Sequence, residues 1–272
     1  KKLWQAGLRT MGDIARCSLG KSGEFYSEEL LHQMFGVNAE LLIDHAWGYE
    51  PCTIAQIRAY KPQSSSLGCG QVLPCPYTAD KARIVVQEMI DGISLELVEK
   101  RLVTDQLVLT VGYDIENLTR PEIRKVYKGP VTTDRSGRRL PKHAHGTWNL
   151  PRATSSSSEL LEAMAALYDK IVNPALLIRR MSLSACHVVN EKMAKEREQK
   201  ETFEQLDLFT DYAKKEAKEK EEQKKRERER RMQEALLTIK KKYGKNAVLR
   251  GMNFEEGATA KERNGQIGGH QA

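Results

Sequence analysis

Between residues 78 and 190 the apolar positions change period in a regular way. Ala82, Val86, Met89, Ile93 and Leu97 recur three and four residues apart, which predicts a helix with one apolar face. Thr78 stands where its N-cap belongs, and Asp80 lies in its first turn. Leu107, Leu109, Val111 and Tyr113 then alternate as a strand does. So do Gly146, Trp148 and Leu150, set against His145, Thr147 and Asn149. Ser156 and Glu159 have capping-box spacing ahead of Leu160, Met164, Leu167 and Ile171, a second helical face. SSSLGCGQVL opens this stretch as a short strand, and ALLIRRMSLSACHVV closes it as another. The order β-α-β-β-α-β predicts an α+β domain with both helices on one face of a small sheet.

The other sheet face is then left open. In the closing strand Met181, Leu183 and Ala185 fall on the covered side, with Arg180, Ser182 and Ser184 opposite. Small polar residues beside arginine suit close approach of a sugar-phosphate backbone, and equally an ordinary solvated face. The loop between the middle strands, 119–142, changes that balance. It carries Arg120, Arg124, Lys125, Lys128, Arg135, Arg138, Arg139 and Lys142 against Glu122 and Asp134, a net of +6. The whole chain carries +7, so most of the excess sits in one loop, as a phosphate-binding surface requires.

Upstream, LWQAGLRTMGDIARCSL predicts a short helix, a tight glycine turn and a second helix opening at Met11-Gly12-Asp13. The backbone N–H groups of Gly7, Leu8, Arg9, Thr10 and Gly12 form a candidate phosphate cradle at a helix N-terminus. The same glycines also fit a plain helical corner.

Downstream, 191–242 is a charge run of Glu, Lys and Arg, expected as a solvent-exposed helix. It is interrupted by EQLDLFTDY, with Leu206, Leu208 and Phe209 close together. Residues 243–272 are expected as a flexible end.

Composition narrows the class. Hydrophobic residues are 40% and charged residues 30% of the 272, with a pI near 9.1, so a polyanionic partner is expected. No run is apolar enough for a membrane span. The five cysteines, at 17, 52, 69, 75 and 186, match no zinc spacing and are expected as reduced, mostly buried thiols. Neither the Ser155–Ser158 run nor the six scattered histidines forms a catalytic set, and no metal site is expected. The chain opens on Lys1 with a helical pattern already running, as a C-terminal piece of something longer would.

The order of these parts resembles the C-terminal half of a Y-family translesion DNA polymerase of the UmuC/DinB type. LWQAGLRTMGDIA is similar to that family's thumb helix-hairpin-helix, and MFGVNAELLIDHAWGYEP to the connection leaving the thumb. The β-α-β-β-α-β unit resembles its little finger, RRMSLSACHVV the closing strand, and ERNGQIGGHQA the tail of one subgroup. The implied organisation is a thumb-like region at 1–50, a linker at 51–62, a little finger at 63–190, and a charged tail at 191–242. The family's palm carboxylates, which hold magnesium, have no counterpart in this chain. No catalytic residue and no cofactor is therefore expected of it alone.

The resemblance implies DNA binding in SOS lesion bypass, in the bacterial cytoplasm, by a monomer. The hairpin, the basic loop and Arg179, Arg180, Ser182 and Ser184 would lie on the phosphate backbone of primer-template duplex. Gln205, Leu206, Asp207, Leu208 and Phe209 are similar to the pentapeptide with which repair polymerases dock on the sliding clamp. A helix burying Leu208 and Phe209 against the domain is the other reading. The rival function is a non-catalytic protein that binds DNA or the clamp with the same folds.

Overall fold

In a computed structural model that describes residues 1–60, 65–134, 136–201, 212–267 and 270–271, the chain divides into two units, Lys1–Gln63 and Ser64–Ala272. It is a mixed α+β protein built on an antiparallel sheet.

The first unit is helical: α1 (Lys2–Gln5), α2 (Met11–Cys17), α3 (Glu28–Phe35), α4 (Asn38–Ala46) and α5 (Ile54–Ala59). Leu8, Ile14, Cys17, Leu31, Ala39 and Ile43 meet in its core. The expected linker at 51–62 contains α5, which forms because Thr53 and Gln56 close a capping box.

The second unit opens with β1 (Leu67–Tyr77), α6 (Ala79–Lys100) and β2 (Leu102–Tyr113). A basic insertion follows, made of α7 (Glu116–Thr119), α8 (Pro121–Val126), β3 (Val131–Thr133) and β4 (Arg139–Pro141). Then come β5 (Ala144–Thr154), α9 (Ser157–Ile171), β6 (Ile178–Cys186) and β7 (Val189–Asn190). The strands lie in the order β1-β6-β2-β5, every pair antiparallel, and β7 runs beside the start of β2. Leu107, Leu109 and Val111 of β2 and Met181, Leu183 and Ala185 of β6 point to one side. There they meet Ala82, Val86, Met89, Ile93 and Leu97 of α6 and Leu160, Met164 and Leu167 of α9. Ser156 caps α9 by accepting the Glu159 N–H at 3.3 Å. Thr78 begins α6 without a side-chain cap bond.

The tail departs from expectation. It forms α10 (Glu191–Glu201), α11 (Tyr212–Tyr243), a 3-10 turn at Gly251–Phe254, α12 (Ala260–Arg263) and the pair β8 (Gln266–Ile267) and β9 (His270–Gln271). α11 is not solvated all round. The Glu229 carboxylate accepts from Ser156 Oγ at 2.7 Å and from Ser158 N at 2.8 Å. The Gln233 amide donates to Ser155 O at 3.0 Å and to Ser157 Oγ at 2.8 Å. Arg230 reaches Ser155 Oγ at 3.1 Å. Each serine of the 155–158 run thus has a partner on one turn of the tail, and Gln233 is only 1% exposed.

The expected flexible end is also folded through residue 265. Glu88, buried on α6, accepts from Asn253 Nδ2 at 2.8 Å, Thr259 N at 2.8 Å and Ala260 N at 3.0 Å. Arg250 pairs with Asp91 at 2.7 Å, and Lys241 with Glu99 at 2.8 Å. Burial pushes the Asp91 carboxyl up, opposed by Arg250, and pushes the Lys240 amine down. α6 is therefore covered on both sides, by the sheet and by the tail.

Of the cysteines only Cys17 is fully buried; Cys52 and Cys75 are exposed, against the expectation, and all five are free thiols. Among the described residues no helix is long and apolar enough to cross a membrane.

Candidate nucleic-acid interface

The register of the sheet fixes what its open face offers. Gly68 pairs with Ser184, Gly70 with Ser182, and Val72 with Arg180. On the other side of β6, Val108, Thr110 and Gly112 pair with Ser184, Ser182 and Arg180. Thr147 and His145 of β5 continue the rows at Val108 and Thr110. Paired residues in antiparallel strands share a face. The open face therefore carries Gly68, Gly70, Thr110, Thr147, Ser182 and Ser184 together with Val108 and His145, and at one end Arg180 stands beside Val72, which is 70% exposed.

Two features keep this surface flat. A Cβ added to Gly68 would stand 2.9 Å from Ser184 Oγ, and one added to Gly112 would stand 2.6 Å from Arg180 Cγ. The arginine side chain thus lies across β2 in the space that Gly112 leaves. Cross-strand hydrogen bonds hold the polar side chains down, Thr110 Oγ1 to His145 Nδ1 at 2.9 Å and Gln106 Nε2 to Asn149 Oδ1 at 2.9 Å. Gly112 and Gly68 were not singled out from sequence. The signal was a glycine inside an otherwise regular strand pattern, which marks close approach by another group.

The basic insertion leaves β2 after Tyr113 and returns to β5 at Ala144, so it stands at the end of the sheet that carries Gly112 and Arg180. The insertion is ordered. Tyr127 Oη donates to Pro130 O at 2.8 Å, Lys142 N–H does the same at 2.8 Å, and β3 pairs with β4. Its cations are not equivalent. Arg120 donates to Glu116 at 2.8 Å, and Arg138 to Asp134 at 2.8 Å. The Arg138 N–H, followed by its guanidinium and the Ser136 N–H, holds the Asp134 carboxyl below its ordinary range. Arg124, Lys125, Lys128, Arg139 and Lys142 are exposed, and among the described residues no such acidic pairing holds them. Arg179 is turned back, donating to Pro74 O at 3.0 Å with Asp114 at 3.8 Å. Arg135 lies outside the described residues.

The hairpin of the first unit is built differently from its expected form. Gly7 N–H goes to Trp4 O at 3.2 Å, and Leu8 N–H to Leu3 O at 3.0 Å. Arg9 and Thr10 N–H both go to Asp13 Oδ2, at 3.0 and 2.9 Å. Asp13 is held below its ordinary pKa by the Arg9 N–H first and then by the Thr10 hydroxyl and N–H. Four of the five proposed N–H donors are thus consumed within the hairpin, and Leu8 is a core residue, 4% exposed. The amides from Gly7 to Thr10, expected as a phosphate cradle, thus have partners within the hairpin itself. Gly12, at the second position of α2, retains an N–H without an intrahelical acceptor.

The chain matches no family model and no curated protein.

Gln205–Phe209, the expected clamp-docking pentapeptide, lies outside the described residues. Among the described residues no three His, Cys, Asp or Glu side chains gather in a way that could hold a metal ion. What the arrangement offers chemically is a sheet face of mostly small polar residues, interrupted by Val72, Val108 and His145, with cations concentrated at one end.

Proposed function

We propose that the second unit grips the sugar-phosphate backbone of DNA without reading its sequence, as the DNA-binding part of a Y-family translesion polymerase. The observation that carries this is the open sheet face: Arg180 laid across Gly112, small residues beyond it, and the basic insertion at the same end. Phosphate contacts from arginine and lysine position a protein on DNA and carry no sequence information. A surface that never touches base edges holds damaged and undamaged DNA alike, which is what lesion bypass requires. The β-α-β-β-α-β order and the sequence resemblance support the family assignment. In this reading the polymerase chemistry belongs to a palm outside this sequence, and Gln205–Phe209 tethers the molecule to the sliding clamp.

Fluorescence anisotropy on duplexes of unrelated sequence tests the proposal. Affinities should agree within a few fold and fall steeply with salt, since counterion release drives such binding. Strong preference for one sequence, or affinity indifferent to salt, overturns it.

A further inference from the structure

We infer that the hairpin between α1 and α2 is a stacking site for an unpaired base of single-stranded DNA. With its amides turned inward, the hairpin presents side chains. Trp4 is 64% exposed, and the Arg9 guanidinium lies 4.8 Å from its ring centroid. This pairing is built into the turn. The Asp13 carboxylate ties down the Arg9 and Thr10 N–H groups, and Gly7 takes a positive φ of 78° that a side chain would resist. Tyr26, 51% exposed, abuts the turn, for a Cβ on Gly7 would stand 3.0 Å from its hydroxyl. Met11, 49% exposed, follows directly.

Charge selects the occupant. Residues 1–21 hold Lys1, Lys2, Arg9, Arg16 and Lys21 against Asp13 alone. The rest of the described unit holds Arg58 against six acids. The exposed tryptophan therefore belongs to the basic segment of an otherwise acidic unit, with the Arg9 guanidinium against its ring. An apolar protein partner would not need that charge, whereas a strand supplies a π-face for the ring and a phosphate for the guanidinium. Such stacking tolerates any base, and each base contributes about 1–3 kcal/mol, roughly 5- to 150-fold in affinity.

The inference rests on the nucleic-acid reading but not on the sheet face that carries it. The test uses the full chain labelled with 5-fluorotryptophan, whose three residues, Trp4, Trp47 and Trp148, give separate fluorine resonances. Adding a twelve-residue oligothymidylate should shift the Trp4 resonance, assigned through W4F, and leave Trp47 and Trp148 in place. An abasic strand of equal length keeps the phosphates and should leave the Trp4 resonance unmoved. W4A should weaken oligothymidylate binding at least fivefold and binding of the abasic strand by less than twofold, while W4F retains most of the affinity. An abasic strand that shifts Trp4 equally, or W4A binding oligothymidylate as the parent does, overturns the inference. If R180A leaves duplex binding untouched while Trp4 still responds to the oligonucleotide, the sheet reading fails and the stacking site stands.

Discussion

Glu229 on the tail helix and Ser158 at the head of α9 are joined twice, through the Ser158 N–H at 2.8 Å and its hydroxyl at 2.9 Å. A carboxylate at a helix N-terminus is favoured by the exposed N–H groups and the helix dipole. One turn on, Gln233 satisfies Ser155 and Ser157. Changing Gln233 to Leu takes the donor from the Ser155 carbonyl and leaves Ser157 Oγ with Ser94 alone, at about 1–3 kcal/mol. Hydrogen exchange over 220–243 should then quicken by roughly one to two orders of magnitude in the variant, with the sheet amides unchanged. Equal protection in parent and variant would refute the docking role of Gln233.

Gly112 should be intolerant for function rather than for folding. Valine suits a strand by itself, but its Cβ would occupy the place of Arg180 Cγ. The arginine must then leave the sheet. Duplex affinity of G112V should drop several-fold and the log–log salt slope should shrink by about one phosphate contact. Thermal melting should stay within a few degrees.

The insertion's cations should separate into two classes. Arg139→Ala and Lys142→Ala should each reduce the salt slope by about one unit. Arg120→Ala and Arg138→Ala should do less, because Glu116 and Asp134 already neutralise those guanidiniums within the fold. Anisotropy titrations across a salt series measure all four. Identical slopes for all four would mean the internal pairs open on binding.

Acid should loosen the first unit through Asp13. Its folded-state pKa is depressed, so the stability it contributes is present above the ordinary value of 3.8 and is lost as pH falls through the folded value. Asp13→Asn should therefore lower the melting temperature of the first unit at pH 7. The two proteins should converge once the pH has fallen below the folded-state value of Asp13, followed by circular dichroism. A gap that stays constant as the pH falls would locate the effect in packing instead.

A synthetic peptide spanning residues 201–212 should bind a bacterial sliding clamp with a Kd on the order of micromolar, since a short flexible chain loses entropy on ordering. Leu208→Ala with Phe209→Ala should remove most of that binding, as buried apolar anchors dominate such contacts. If the same double change in the full chain instead lowers the melting point by several degrees, those side chains belong to the fold.

The sheet and the two helices above it were legible because Leu107, Leu109, Val111, Met181 and Leu183 alternate cleanly, and one stripe of α6 and one of α9 answer them. The outer cover of α6 was not read, although the sequence held a hint. Val85, Ile90, Leu95 and Val98 widen its apolar surface beyond one stripe, and all four are buried. The docked face of α11 escaped for a physical reason. Its inward residues include Glu229, Arg230 and Gln233, and polar side chains in a charge run look solvated until their partners are known. The inward turn of the hairpin amides had a signal in the sequence: Thr10 and Asp13 have capping spacing, and an acid there takes the N–H groups of Arg9 and Thr10. The open face was recognised from the Arg180-Ser182-Ser184 alternation, while the role of Gly112 needed the register.

The double anchorage of the tail turns the second unit into a molecule of two pieces. Ser155–Ser158 grip α11, and Glu88 grips the stretch around Thr259, so the chain from α11 to Thr259 is seated by contacts rather than by its covalent tether. Severing the backbone between Glu201 and Tyr212 would leave the halves as noncovalent partners. Made as separate polypeptides, they should reassemble like a split reporter, with Glu229, Gln233 and Glu88 setting the affinity of the join.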